Sequence, residues 1–191
     1  SVVSICNSAL NQLGAASITA LTDNSKNARL CNERYETVRD AVYRSHPWNC
    51  LIKRQQLAQD ATTPAYGFSF QFSLPSDCLR LLNLDAYNSD HKVEGRKILC
   101  NEASIKIAYI SQVTDPNEMD VLLRETISAG IAADLGYAIT ANLQVSKLMQ
   151  EKYQFKLSEA RHADASEGYN VDPSNGQVDQ ILTEDFLNSR Y

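Results

Sequence analysis

Several things are scarce or missing in this 191-residue chain, and each gap removes a class of function. No apolar run approaches the ~20 residues that span a bilayer, and no charged-then-apolar leader opens the chain. A soluble protein made in a cytoplasm is the expectation, with no membrane partner. No excess of basic charge is present: 18 Lys and Arg stand against 23 Asp and Glu, a net charge of −5. Proteins that grip phosphate rely on clustered Lys and Arg, so tight wrapping of nucleic acid is disfavoured. No CxxC pair exists among Cys6, Cys31, Cys50, Cys78 and Cys100. Zinc-ribbon and thioredoxin chemistry therefore lack support, and free thiols in a reducing compartment are expected. The three histidines, His46, His91 and His162, fall in separate segments without ligand spacing. P-loop, GxGxxG, HExxH and GxSxG motifs are all absent. No catalytic residue, metal ligand or cofactor is assigned.

What the chain does have is hydrophobic patterning. Forty-three per cent of its residues are hydrophobic, enough for a buried core. Val2, Ile5, Cys6, Ala9, Leu10 and Leu13 predict a first helix over about 2–13, stopped by Gly14. Asn27 to Trp48, NARLCNERYETVRDAVYRSHPW, predicts a long amphipathic helix. Ala28, Cys31, Tyr35, Val38, Val42 and Ser45 share one face by three- and four-residue steps. Arg29, Asn32, Glu33, Glu36, Arg39, Asp40 and Arg44 are assigned to the other. Asp23, Asn24 or Ser25 supplies the N-cap. Pro47 disfavours helix at His46 and ends the run there. Trp48, the only tryptophan, is expected to plug a junction with Pro47 between helices and sheet.

After Trp48 the period changes. Tyr66, Phe68, Phe70, Phe72 and Leu74 alternate with small or polar residues, a strand signal over nine positions. Leu74-Pro75-Ser76-Asp77 is a turn, and Cys78–Leu84 fits a strand. Residues 92–99 read as a hairpin centred near Gly95. Ile105, Ile107 and Tyr109 alternate again. The segment from about 51 to 113 is therefore an inserted antiparallel sheet. A helix with Asp115 as cap and Pro116 at its first position is predicted from Pro116 to Thr140. Met119, Leu122, Leu123, Thr126, Ile127, Gly130, Ile131, Asp134 and Tyr137 are placed along its packed side. Its many Ala and Gly residues suit the centre of a tight bundle. A last helix covers about 143–165, with Leu148, Met149, Tyr153, Leu157 and Ala160 facing inward.

The fold class is thus α+β, mainly α: an antiparallel helical bundle with a small inserted antiparallel β-sheet and an extended C-terminal arm. The bundle comes from residues 1–50 and 114–166, and the arm from 167–191. The arm is polar but spaced with Val178, Ile181, Leu182, Phe186, Leu187 and Tyr191. Such anchors either dock onto another chain or pack back on their own domain.

Carboxylate pairs such as Glu94 with Glu102, or Asp115 with Glu118, are the raw material of a glycosidase, but any acidic chain supplies them by chance. A cell-wall hydrolase is the alternative they define. The Phe68/Phe70/Phe72 stripe lacks the interleaved Lys and Arg of a base-stacking platform, so sheet core is the better reading. A helical nucleic-acid-binding regulator is disfavoured by the same charge pattern.

The order of these pieces resembles a known family. A helix ending in ALNQLGAASITAL precedes the long helix with its His-Pro-Trp stop. FSFQFSLPSDCLRLL, VEGRKIL, the Tyr109 strand, the Thr-Asp-Pro start and two further helices follow. This series is similar to the tail tubular protein A family, the head-to-tail adaptor (connector) proteins of short-tailed bacteriophages. The resemblance covers about Ile5 to Tyr191 and rests on structural signatures. It implies a structural virion protein without enzymatic activity, at the head–tail interface and made in the host cytoplasm. Such proteins form a homo-oligomeric ring, usually of twelve subunits, between portal protein and tail nozzle protein. The ring leaves a channel through which DNA passes without specific binding. On this reading Val178, Ile181, Leu182, Phe186, Leu187 and Tyr191 anchor a portal-docking arm. The turns at Asp77 and Gly95 would face the nozzle.

Overall fold

The computed structural model describes residues 1–85 and 90–167. The fold is α+β and mainly helical, with two small antiparallel sheets. The described residues divide into two compact units: a helical unit, residues 1–50 with 113–167, and a β unit, residues 51–112.

In the helical unit, α1 (Val2–Gln12) is capped by Ser1, whose side chain accepts from the Ser4 amide. It ends in a Schellman motif. The Ala15 amide reaches Leu10 O at 2.9 Å and the Gly14 amide reaches Asn11 O at 3.1 Å. Gly14 takes φ +65°, which the motif requires and glycine adopts without penalty. Asn7 then pins the following linker by exchanging two hydrogen bonds with the Ile18 backbone.

Helix α2 (Lys26–Arg44) is capped by Ser25. It ends within one residue of the expected stop at His46, with Ser45 as its last half-helical residue. The Ser45 hydroxyl and amide both turn back onto Val42 O, which ends the helix before Pro47 can forbid it. Ala28, Cys31, Tyr35 and Val42 are buried as the period requires; Val38 and Ser45 are half-buried. Arg39, assigned to the wet face, is instead 3% exposed. It lies four residues from both Tyr35 and Tyr43, so it shares their side of the helix. Its guanidinium sits 5.6 Å and 5.9 Å from those two rings and bonds the Asp40 carboxylate at 2.8 Å.

Helix α3 (Val121–Thr140) begins five residues after Pro116. The Asp115 carboxylate is used locally, accepting from the Asn117 amide, while the Glu118 amide reaches Asp115 O. That closes a turn, and Asp120 becomes the cap, accepting from the Leu122 and Leu123 amides. From Thr126 to Ala132 every residue of α3 is buried. The helix packs against α1, α2 and α4 (Leu143–Glu167). Its small residues permit this: a Cβ on Gly136 would stand 3.2 Å from Ser146 Cα on α4. Asp134 and Tyr137, placed on the packed side, are exposed. Leu148 is also corrected: it is 57% exposed, because it lies across α4 from the stripe of Met149, Leu157 and Ala160.

The β unit holds two three-stranded sheets where one was expected. A single 3-10 turn, Asn49–Leu51, leads into β1 (Ile52–Leu57). One sheet has β6 (Ile105–Ser111) between β1 and β3 (Cys78–Leu84). The other has β5 (Lys97–Cys100) between β2 (Phe70–Ser73) and β4 (His91–Glu94). Inner faces of both contribute to one core, which includes Leu57, Phe72, Leu84, Ile98, Ile105 and Ile107. Of the nine-residue aromatic stripe only 70–73 is strand. Gly67 leaves the extended region at φ +85°, and Tyr66 is 89% exposed. The Ser69 amide bonds the Asn101 side chain instead of a neighbouring strand.

Candidate functional site

The predicted junction residues build a dense polar corner at the end of α2. Pro47 is buried and Trp48 is 1% exposed. The Trp48 indole donates to Val42 O at 3.0 Å, and its ring meets the His46 ring edge-on at 4.8 Å. Helix ends leave carbonyls without partners, and here side chains supply them: the Arg161 guanidinium donates to Ser45 O at 2.9 Å. Asp164, near the end of α4, takes the rest of the corner. It meets His46 Nε2 at 3.0 Å, accepts from the Asn49 amide at 3.0 Å, and its carbonyl accepts from the Asn49 side chain at 2.7 Å. The corner thus ties the last residues before the β unit to α4.

A histidine–aspartate pair beside Cys50 invites a nucleophilic reading. The thiol argues against it: burial, with the Asp164 and Asp120 carboxylates nearby, raises its pKa despite two backbone hydrogen bonds that lower it. A protonated thiol is a poor nucleophile at neutral pH. Cys6 and Cys31 are fully buried, and their mutual hydrogen bond followed by burial pushes the Cys6 thiol far up. All five cysteines are free. Among the described residues no three His, Cys, Asp or Glu side chains converge as metal ligands, and no helix is long and apolar enough to cross a membrane.

The two turns assigned to a partner surface lie together. Gly95 and Arg96 form the β4–β5 turn with φ +55° and +63°, the signature of a type I′ hairpin. Arg96 holds a conformation that costs an L-residue roughly 1–2 kcal/mol. Its guanidinium donates to Pro75 O at 2.7 Å and Cys78 O at 3.3 Å, binding the hairpin to the 74–78 turn. Gly95 is exposed. Asp77 is not a free tip: it is half-buried, bonded by Lys53 at 3.0 Å and by the Tyr109 hydroxyl at 3.2 Å. Burial first, and the Asp77 charge second, raise the Tyr109 pKa to about 12. Asp60, singled out by no sequence signal, braces the same unit. Its carboxylate accepts from Lys97 at 2.6 Å and from the Ser73 hydroxyl and amide.

Of the carboxylate pairs, Glu94 and Glu102 are both exposed, and Asp115 is spent on its turn. The arm anchors Val178, Ile181, Leu182, Phe186, Leu187 and Tyr191 lie outside the described residues. Open clefts also lie among the described residues of the helical unit. One, of about 540 Å³, runs between α1, α3 and α4 and is lined by side chains including Asn7, Gln12, Glu125 and Lys152. Another, of about 580 Å³, lies between α2, α3 and α4.

Arg39, Asp164, Arg161 and Arg96 escaped the sequence reading. Only Arg39 had a usable signal, its four-residue spacing from two tyrosines. No protein-family model matches the chain, and no curated protein matches it significantly.

Proposed function

We propose that this protein is a structural component of a short-tailed phage virion, a ring-forming adaptor between portal and tail nozzle. The observation that carries the proposal is the order of motifs along the chain. The long helix with its His-Pro-Trp stop, the Pro-Ser-Asp-Cys turn, the Val-Glu-Gly-Arg hairpin and the Ala-rich helix follow one another as in the tail tubular protein A family. A helical frame interrupted once by a compact β unit suits a part that contacts different neighbours with different surfaces. The net charge of −5 suits a channel along which DNA slides, because an acidic wall repels phosphate where a basic one would hold it. In this role the protein works as a homo-oligomer, with twelve copies the family's usual number, and a ring requires a contact that closes by rotation.

The C-terminal anchors Val178, Ile181, Leu182 and Phe186 are proposed to dock onto the portal. The Gly95 hairpin, bound to the 74–78 turn by Arg96, is proposed to face the nozzle. Mixing the purified chain with the portal protein of the same virion tests the assignment by electron microscopy. Rings stacked on the portal are expected. A chain lacking Asp172–Tyr191 should keep its helical circular dichroism and lose portal attachment. Unimpaired attachment of that truncation would remove the docking role.

A further inference from the structure

We infer that Cys6 and Cys31 form an oxidation site, at which a peroxide joins the two sulfurs in one intramolecular disulfide that staples α1 to α2. The pair is internal to the helical unit and does not depend on the adaptor reading.

Helical period places the two cysteines. Cys6 lies on the buried face of α1 with Ala9 one turn away, and Cys31 on the buried face of α2 with Ala28 one turn away. Both cysteines are 0% exposed. The two helices approach to within 8 Å between Cα atoms. Ala9 and Ala28 are small and buried, which leaves the backbones room to come close. The sulfurs meet in a hydrogen bond, and both thiols are free. A disulfide is about 2.05 Å long, so closing it from hydrogen-bond contact moves each sulfur by about 1 Å. The other thiols have different surroundings. Cys100 donates to Glu102 O at 3.7 Å, and Cys50 sits near the Asp164 and Asp120 carboxylates.

The hydrogen bond divides the chemistry between the two sulfurs. Donated by Cys6, it draws the Cys31 thiol below its ordinary pKa against a burial that raises it, while the same bond and then burial push Cys6 up. Cys31 is therefore the attacking sulfur and Cys6 the resolving one. The Cys31 thiolate attacks one oxygen of hydrogen peroxide and the O–O bond breaks. The departing hydroxide takes the proton that the Cys31 thiol gave up and becomes water, and Cys31 becomes a sulfenic acid. The Cys6 sulfur then attacks the Cys31 sulfur and the S–O bond breaks. The second hydroxide leaves with the Cys6 proton as water. Two thiols have lost two electrons and one peroxide has gained them. An oxidant little larger than water suits a buried pair, and a reducing cytoplasm returns it to thiols. The bond closes the chain from Cys6 to Cys31, across the α1–α2 linker, and removes freedom from the unfolded state.

Peroxide treatment of the folded full chain, then alkylation in denaturant and peptide mapping by mass spectrometry, tests this. A peptide pair joined through Cys6 and Cys31 is expected in most chains, on monomers in non-reducing electrophoresis, and dithiothreitol should release it. The melting temperature should rise by roughly 5–10 °C. In Cys6→Ser, Cys31 should stop at a sulfenic acid that dimedone traps. In Cys31→Ser, Cys6 should remain a thiol. Cys6 and Cys31 that still alkylate as thiols after peroxide overturn the site, as does a sulfinic acid at either position or a predominant bridge to Cys50, Cys78 or Cys100. A bridged chain that melts no higher than the reduced one removes the staple. Mapping needs only the wild type, so a variant that fails to fold leaves the test intact. Portal attachment is read separately, and neither result decides the other.

Discussion

The helical and β units of this chain solve the same packing problem in different ways. The helical unit is organised around one slim helix, α3, buried on all sides over a seven-residue stretch. Its tolerance is set by how closely backbones approach, as at Gly136 and Ser146. The β unit has no central element. Two short sheets share an apolar core, and its remaining rigidity comes from polar braces: Asp60 with Lys97 and Ser73, Asp77 with Lys53 and Tyr109, Arg96 with the 74–78 carbonyls. One unit depends on the absence of side-chain volume, the other on charged side chains in fixed positions. The first should be the less tolerant of added bulk where α3 meets α4, and the second should lose its braces in acid.

The sharpest test removes one large buried ring from each unit. Trp48→Ala and Phe72→Ala should each cost ~3–5 kcal/mol, since both side chains are almost fully buried. Hydrogen exchange should show the first loosening α2 and α4, and the second loosening β2 and β5. Equal loosening of both units by either variant would mean that the division is geometric and not energetic. Next in size, Gly136→Leu should lose about 1–3 kcal/mol, because the new side chain meets the α4 backbone; thermal melting would show it. An unchanged melt would show that α3 and α4 can part at little cost.

The smallest effect is electrostatic. The Lys97 ammonium, then the Ser73 hydrogen bonds, hold the Asp60 carboxyl below its ordinary pKa, outweighing a desolvation that raises it. A carboxyl depressed in the folded state adds stability above its unfolded pKa of about 4 and loses it as pH falls through the folded value. Denaturant melts of the β unit should therefore weaken below about pH 4. Asp60→Asn should flatten that dependence, and a variant as acid-sensitive as wild type would remove Asp60 from the account.

How much of this was legible in the sequence follows the same divide. Helix faces were read from period alone: Ile5, Cys6, Ala9 and Leu10 on α1, and Ala28, Cys31, Tyr35 and Val42 on α2, are all buried. Helix ends were less legible, because two caps compete locally. Asp115 and Asp120 both qualify, and the turn closed by Asp115 through Asn117 decides for Asp120. Leu148 shows the limit of hydrophobicity as a guide, since a leucine follows the helical wheel and not its own polarity. In the β unit the hairpin at Gly95 was plain from its turn residues. The aromatic stripe misled because alternation says nothing of the φ that Gly67 adopts. The braces at Asp60, Asp77 and Arg96 join residues 13 or more apart in sequence, beyond the range of local patterns. The same holds for Asp164, which reaches His46 across 118 positions.

The pairing of Ile52 with Ile110 carries a consequence for how the chain is built. Strand partners lie about 5 Å apart, so the β unit leaves and returns to the helical frame almost at a single point. For the frame, sixty-odd residues enter and leave like a short turn, and lengthening a flexible segment within them adds only about 0.6 kcal/mol of closure cost per doubling. Length can therefore be added between those two isoleucines at small entropic cost.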